Sequence, residues 1–331
     1  MKALVYKGPE QLAFQDVLDP TLNGEEKLIK IDSVGICGSD MHAFLGHDER
    51  RPAPLILGHE VSGTIVAGAQ QGHRVTVNPL VACGQCLACI SGRDNLCPDR
   101  KIISMPPKEG GFAQYISMAM ENLTVVPDDF SLEKACMAEP IACGWHAVRL
   151  AKAALGAQGE GIRALVIGGG AIGVGAALSL IAQGIQSVMV TEPNKKRRDF
   201  LRAGNGFSVI APEELADIGQ YDLVIDGVGY APTRATASKA VRPGGVIMHI
   251  GLGSSEGGLD IRRATLQEIT FIGTYTYTAA DFRAAAAAMF DGRLGALDWY
   301  EVRPLEDGAK AFAHLRPVSY THLRAHETRR Y

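Results

Sequence analysis

The chain has 331 residues, 33 Lys plus Arg against 36 Asp plus Glu, and a formal net charge of −3. No basic field covers it, which argues against nucleic acid as the main partner. Hydrophobic residues make up 47% and charged residues 21%, so the chain can bury a core and is not a disordered one.

Its length exceeds the roughly 250–300 residues at which a single core stops growing, and two domains are expected. Residues 1–145 read as short β-like segments, KALVYKG, EKLIKIDSVG, VSGTIVAG, HRVTVNPLV, AQYISM and LTVVPDD, separated by Gly, Pro and charged turns. An irregular, mostly antiparallel β domain is expected there. The opening MKALVYKGPE lacks the apolar core of a signal peptide, and no run reaches membrane-spanning length. A cytoplasmic protein with no membrane partner is expected. Thiols stay reduced in that compartment, so clustered cysteines point to metal rather than to disulfides.

Within this domain GICGSDMH brings together Cys37, Ser39, Asp40 and His42, GHE supplies His59 and Glu60, and AEP supplies Glu139. A thiolate, an imidazole and carboxylates make a mixed ligand set suited to zinc that keeps an exchangeable position. Cys83, Cys86, Cys89 and Cys97 follow C-x2-C-x2-C-x7-C inside a turn-rich lobe at about 81–100. Four thiolates in such a lobe suit closed tetrahedral zinc. An iron–sulfur cluster is the alternative. Ferredoxin runs share C-x2-C-x2-C and a Pro after the last Cys, here Pro98, although their last spacing is three residues and not seven.

From about residue 131 the pattern turns helical, and residues 146–270 alternate buried-strand segments with helices. That alternation implies an α/β unit with a doubly wound parallel sheet. VIGGGAIG gives G-x-G-x-x-G at Gly168, Gly170 and Gly173, with Ala171 and Ile172 in the same turn, between the strand ALVI and a helix. Such glycines let the backbone approach a dinucleotide pyrophosphate seated on a helix N-terminus. Glu192 follows Gly170 by 22 residues, at the end of SVMV. It can accept bonds from the adenosine ribose and its charge repels a 2′-phosphate, so NAD is expected over NADP. The following Lys195, Lys196, Arg197 and Arg198 read as the solvated first turn of a helix. Residues 271–317, with the strand EITFIGTYTY and two further helices, are expected to return to the first domain. The tail 318–331, VSYTHLRAHETRRY, has no apolar periodicity. It resembles translated adapter or vector sequence and is set aside as non-native. Cys136 and Cys143 read as buried small residues and His146 as a packed one.

Together these motifs resemble the zinc-dependent medium-chain alcohol dehydrogenases, especially their sorbitol and polyol dehydrogenase branch. The resemblance spans Met1 to about Pro317. It rests on GICGSDMH, LGHEVSG, the four-cysteine lobe with GRDNLC, GGFAQY, EPIACGWHAV, VIGGGAIG, and GLG near GTYTYT, in the family's order. It implies a GroES-like β-rich catalytic domain interrupted by a Rossmann domain, with the active site in the cleft between them. It implies two zinc ions per chain: a catalytic one on Cys37, His59 and Glu60, with Glu139 on the metal or its water, and a structural one on Cys83, Cys86, Cys89 and Cys97. Glu139 stands where a different branch has a second Cys. NAD is the implied cofactor, held by Gly168, Gly170, Ala171, Ile172, Gly173, Glu192, Gly251 and Thr274. Asp40 matches the residue that orients the zinc-bound histidine, Ser39 the hydroxyl that takes the substrate proton, and His42 a distal relay.

The implied reaction is reversible oxidation of a secondary alcohol or polyol hydroxyl to a ketone. A simple alcohol, a sugar acid or a sugar phosphate stands as the alternative substrate. Thr276-Tyr277 occupies the place where sorbitol dehydrogenases have Arg-Tyr, and that Arg helps hold cofactor and polyol. Members are homo-oligomers, dimers or tetramers. A dinucleotide-binding relative without turnover would have lost catalytic-zinc ligands, and none is lost here. A zinc module for nucleic acid would carry basic residues and aromatics around its cysteines. Only Arg93, Arg100 and Lys101 are near.

Overall fold

The computed structural model describes residues 1–67, 70–156, 161–204, 206–217, 219–315 and 323–326. The chain forms two compact units, Met1–Glu139 with Leu297–Tyr331, and Pro140–Ala296.

In the first unit a three-stranded sheet orders Gln11–Asp16, Lys2–Gly8 and Leu55–Ile56. A seven-stranded sheet orders Leu123–Val125, Arg74–Val77, Glu60–Ala67, Lys27–Gly35, Leu323–His326 and Glu301–Pro304, with Tyr115–Met118 also paired to Lys27–Gly35. The side-chain period of two is visible in Lys27–Gly35, where Ile29 and Ile31 are buried and Lys30 between them is exposed. Ile29, Ile65, Val75, Val77, Phe112 and Met118 form the centre of one core. The helix Gly308–Leu315 returns to that core through Phe312, whose ring lies 5.2 Å from Phe44 and 5.6 Å from Phe112.

The second unit holds six parallel strands in the order Ser208–Ile210, Ser187–Thr191, Arg163–Ile167, Tyr221–Asp226, Val241–His249 and Thr270–Gly273. Numbered along this unit the order is 3-2-1-4-5-6, so successive connections run outward from Arg163–Ile167 in opposite directions. Ligands of open α/β sheets bind outside the carboxyl ends of the strands at such a switch point.

The compact units divide the chain at other positions than the expected segments do. Residues 271–296 lie in the second unit rather than in the return segment, and the first division falls at 139/140 rather than 145/146. Within the second unit Asp281 and His146 form a buried pair that a half-exposed Arg149 joins. Asp281, near the start of the helix Ala279–Phe290, lies 2.7 Å from His146 Nδ1 and accepts from Arg149 Nε at 2.6 Å, both on the helix Ala138–Leu155. Residues 318–322 and 327–331 lie outside the described residues, but Leu323–His326 forms a strand, antiparallel to Lys27–Gly35 and parallel to Glu301–Pro304. Main-chain hydrogen bonding is nearly indifferent to side-chain identity, so an extended tail can occupy a slot with open N–H and C=O groups on both sides. Among the described residues no helix is long and apolar enough to cross a membrane.

The return segment is thus part of the first core. Phe312→Ala, at a fully buried position, is expected to cost about 3–5 kcal/mol, read as a lower midpoint in chemical denaturation. An unchanged midpoint would mean that residues 305–315 are not integral to this unit.

Candidate metal centre and dinucleotide site

The strands Lys27–Gly35 and Glu60–Ala67 run antiparallel with Gly35 opposite Glu60. Cys37 leaves the first strand just past Gly35, and His59 immediately precedes Glu60 in the second. Register therefore brings distant sequence positions to neighbouring strand ends. The ligand atoms of Cys37, His59 and Glu60 lie within 4.8 Å of one another. Glu60 is fully buried and His59 nearly so, and a carboxylate is taken out of water only at high cost unless it is paired or binds a metal.

Asp40 ties the two segments together. It sits in the first turn of the helix Gly38–Phe44, where Oδ2 accepts the Cys37 N–H at 3.0 Å. Its Oδ1 accepts the Gly58 N–H at 3.1 Å and lies 3.5 Å from His59 Nδ1. Gly58 has φ +91, and a Cβ there would stand 2.9 Å from Val34 and 3.0 Å from Phe112. Only glycine can turn the chain into His59 at that point. Burial works against a charge on His59, yet the Asp40 carboxylate, and then Cys37, hold its pKa well above the usual value. Burial works against Asp40 as well, but His59 and then Arg51 keep it below the usual carboxylate value. The cluster draws positive charge, as a site for a divalent cation must.

Ser39 Oγ lies 3.5 Å from His59 Nε2. His42 is exposed on the same helix, its ring 6.4 Å from that of His47. Glu139 is buried in the first turn of Ala138–Leu155, but the set within 4.8 Å does not include it.

Cys83, Cys86, Cys89 and Cys97 form a second set within 4.8 Å. Cys86 Sγ and Cys83 Sγ stand 3.5 and 3.9 Å from Cys89 Sγ. A tetrahedron with Zn–S bonds of about 2.3 Å has S···S edges of about 3.8 Å, so one ion fits. The irons and sulfides of a cluster would have to sit inside the cage, and these separations leave no room for them. Backbone N–H groups of Gln85 and Cys86 lower the Cys83 pKa to about 7. Partial burial, then the Cys86 thiol, push Cys89 up to about 12. Four thiolates this close ionise together only around a cation.

In the second unit the turn after Arg163–Ile167 assigns each glycine a different task. Gly168 has φ +99, the left-handed region that glycine accepts readily. A Cβ on Gly173 would lie 1.8 Å from Gly168 O, so the helix Ala171–Ala182 can pack on the turn only without a side chain there. A Cβ on Gly170, the N-cap of that helix, would meet nothing within 4 Å. That open face, with helix-start amides from Ala171 and Ile172 onward behind it, is the shape a pyrophosphate needs. Two further turns pack backbone on backbone: a Cβ on Gly251 would stand 2.2 Å from Val228 C, and one on Gly229 would stand 2.1 Å from Gly251 O. Thr274 donates its N–H to His249 O at 2.9 Å.

Two contacts here were not visible in the sequence. Arg234, buried, binds Gly229 O at 2.8 Å and Ser254 O at 2.9 Å, clipping those two turns together. A lone Arg in the helical segment APTRATASKA gives no sign of this. Arg197 is not solvated as its charge run suggested, but lies 3.0 Å from Glu192 Oε2.

The chain matches the family model for the alcohol dehydrogenase GroES-like domain over residues 23–128 and that for zinc-binding dehydrogenases over residues 171–291. It is 33% identical over 311 residues to L-galactonate-5-dehydrogenase of Escherichia coli (strain K12), covering 89% of each chain. It is 32% identical over 296 residues to sorbitol dehydrogenase of Bacillus subtilis (strain 168), covering 84% of this chain and 82% of the relative. In fold it resembles a short chain alcohol dehydrogenase of Escherichia coli CFT073 solved with its cofactor NADH. The TM-score is 0.89 at 24% identity, over 98% of this chain and 99% of that one.

Asp40→Asn is expected to lower zinc affinity at the Cys37 set about 10–100-fold, measured by chelator competition while the four-cysteine lobe stays loaded. Unchanged affinity would free the site of any dependence on Asp40. Gly170→Ala is expected to weaken dinucleotide binding at constant melting temperature, whereas Gly173→Ala lowers both. An equal melting shift in the two would contradict the division of tasks.

Proposed function

We propose, for a chain that belongs to the zinc-dependent medium-chain alcohol dehydrogenases and to their sorbitol and polyol dehydrogenase branch, that it oxidises a secondary hydroxyl of a polyol or sugar acid to a ketone, with NAD as hydride acceptor. As a member of that family it is a dehydrogenase acting on CH–OH groups. The observation that carries the reading is the convergence of Cys37, His59 and Glu60 beside the Ser39 hydroxyl. The relatives named for galactonate and sorbitol support a polyhydroxylated substrate.

In this reading Cys37, His59 and Glu60 would hold the catalytic zinc, and Glu139 would serve the metal or its water. The four cysteines hold a structural zinc. When bound, zinc supplies a Lewis acid for a hydroxyl oxygen and NAD supplies the hydride acceptor. The chain's own groups position and deprotonate. Asp40 engages the Nδ1 side of His59 and so presents Nε2 to the metal. Ser39, 3.5 Å from that nitrogen, takes the proton that the substrate hydroxyl gives up. His42, exposed three residues further along the helix, passes it to water. The open face of Gly170 receives the pyrophosphate, and Glu192, Gly251 and Thr274 line the rest of the dinucleotide.

A simple alcohol is the second reading, favoured by Thr276-Tyr277 in place of the branch's Arg-Tyr. A homo-oligomer is supported by the edge strand Thr270–Gly273, which among the described residues has a neighbour on one side only and exposes Phe271. A cytoplasmic setting is supported by the seven cysteines, none of which is in a disulfide.

Metal analysis of the purified chain is expected to find two zinc ions. Cys37→Ser is expected to retain one and to lose NADH formation across a panel of polyols and sugar acids, with its circular dichroism preserved. Turnover by that variant at the wild-type rate would refute the assignment.

A further inference from the structure

Glu192 follows the strand Ser187–Thr191, where the adenosine ribose of a dinucleotide is expected, and its carboxylate is already engaged. Oε2 accepts the Gly169 N–H at 2.9 Å and lies 3.0 Å from Arg197 Nη1, while Oε1 accepts the Asn194 N–H at 2.8 Å. Glu192 is only 2% exposed. The Arg197 side chain is 14% exposed, and its buried Nε has no acceptor among the described residues. Arg198, next along the helix Lys195–Arg202, donates through Nη1 to Glu192 O and Pro193 O. Two guanidiniums therefore lie on this one acid and its backbone.

This changes what the acid can do. A solitary carboxylate selects NAD by repelling a 2′-phosphate and by accepting from the ribose hydroxyls. A carboxylate in contact with a guanidinium presents little net charge to the ligand. A ribose hydroxyl would also have to share oxygens that already hold two backbone N–H groups. Arg197, meanwhile, sits at this turn as a partly exposed planar guanidinium, the fork geometry that suits phosphate oxygens. Lys195 is paired with Asp199 at 2.6 Å and Lys196 is exposed beside it, whereas Arg197 is the cation of this run that touches the Glu192 carboxylate.

We infer that the chain accepts NADP as well as NAD, with Arg197 neutralising Glu192 and receiving the 2′-phosphate. The inference rests on the dinucleotide reading of the Gly168–Gly173 turn and not on the identity of the alcohol. It replaces the simpler expectation that Glu192 alone enforces NAD.

Calorimetric titration of the zinc-loaded chain tests it without turnover, using NAD, NADP, 5′-AMP and 2′,5′-ADP as probes. NADP is expected to bind within about tenfold of NAD, and 2′,5′-ADP more tightly than 5′-AMP. Arg197→Ala is expected to weaken NADP and 2′,5′-ADP about 10–100-fold, the range of one charged hydrogen bond, with NAD and 5′-AMP unweakened. Arg197→Lys, which keeps the charge and loses the fork, is expected to fall between. The wild-type comparison of 2′,5′-ADP with 5′-AMP remains decisive even if the alanine variant folds poorly. NADP weaker than NAD by more than about a hundredfold, and unmoved by Arg197→Ala, overturns the inference while leaving the dinucleotide site intact. Failure of all four probes to bind overturns the dinucleotide reading and the inference with it.

Discussion

Asp40 is fully buried and divides its two oxygens between the segments that carry Cys37 and His59. Oδ2 accepts the Cys37 N–H, and Oδ1 accepts the Gly58 N–H and faces His59 Nδ1. A buried carboxylate is tolerated only when its lone pairs are used, and here they are used on two chain segments at once. The arrangement therefore couples local order to site geometry. If the turn at Gly58 opened, Asp40 would lose one partner and His59 its orientation together. The strand register that sets Gly35 opposite Glu60 brings the segments near; Asp40 fixes the remaining freedom. The same contacts account for the upward pull on His59, which comes from the Asp40 carboxylate and then Cys37 against the effect of burial.

The dinucleotide turn is organised on a different principle. At the metal centre side chains do the holding, whereas at Gly168–Gly173 and Gly229–Gly251 the missing side chains matter most. Each of those glycines removes a Cβ that would collide with backbone or a packed side chain, except Gly170, whose Cβ would point into open space. That exception is informative. A glycine demanded by the fold and a glycine left open toward a ligand look alike in a motif and are separated only by what surrounds them.

The four-cysteine lobe follows a third principle. Its short helix Leu87–Ile90 buries none of its residues, and Leu87 and Ile90 are largely exposed. Hydrophobic burial cannot hold such a segment, so the binding energy of the ion has to do so. The opposing pulls on Cys83 and Cys89 express the same need, because neighbouring thiolates repel until a cation joins them. In the proposed reading the four thiolates would fill the coordination of one ion, and the lobe would contribute to activity through stability.

Much of this was legible in the chain because motif chemistry is local. The glycine turn works through φ and Cβ clearance over six residues, and the C-x2-C-x2-C-x7-C loop encloses its own ion. The alternation of buried strands and helices likewise announces a parallel sheet. Other features depend on partners far away. The charge run at Lys195–Arg198 does not say that Arg197 turns inward, because a guanidinium in water and one on a buried acid have the same spelling. Within the second unit Asp281 meets His146 and Arg149, more than 130 residues away in sequence. The strand at Leu323–His326 arose from backbone groups that carry no sequence signal. By itself, then, the sequence determined which donor atoms, glycines and apolar faces were available, since these are properties of residue type and short spacing. Only the tertiary structure decided which of them meet, because strand register, burial and the satisfaction of buried charges are set by the whole packed unit and not by any segment of it.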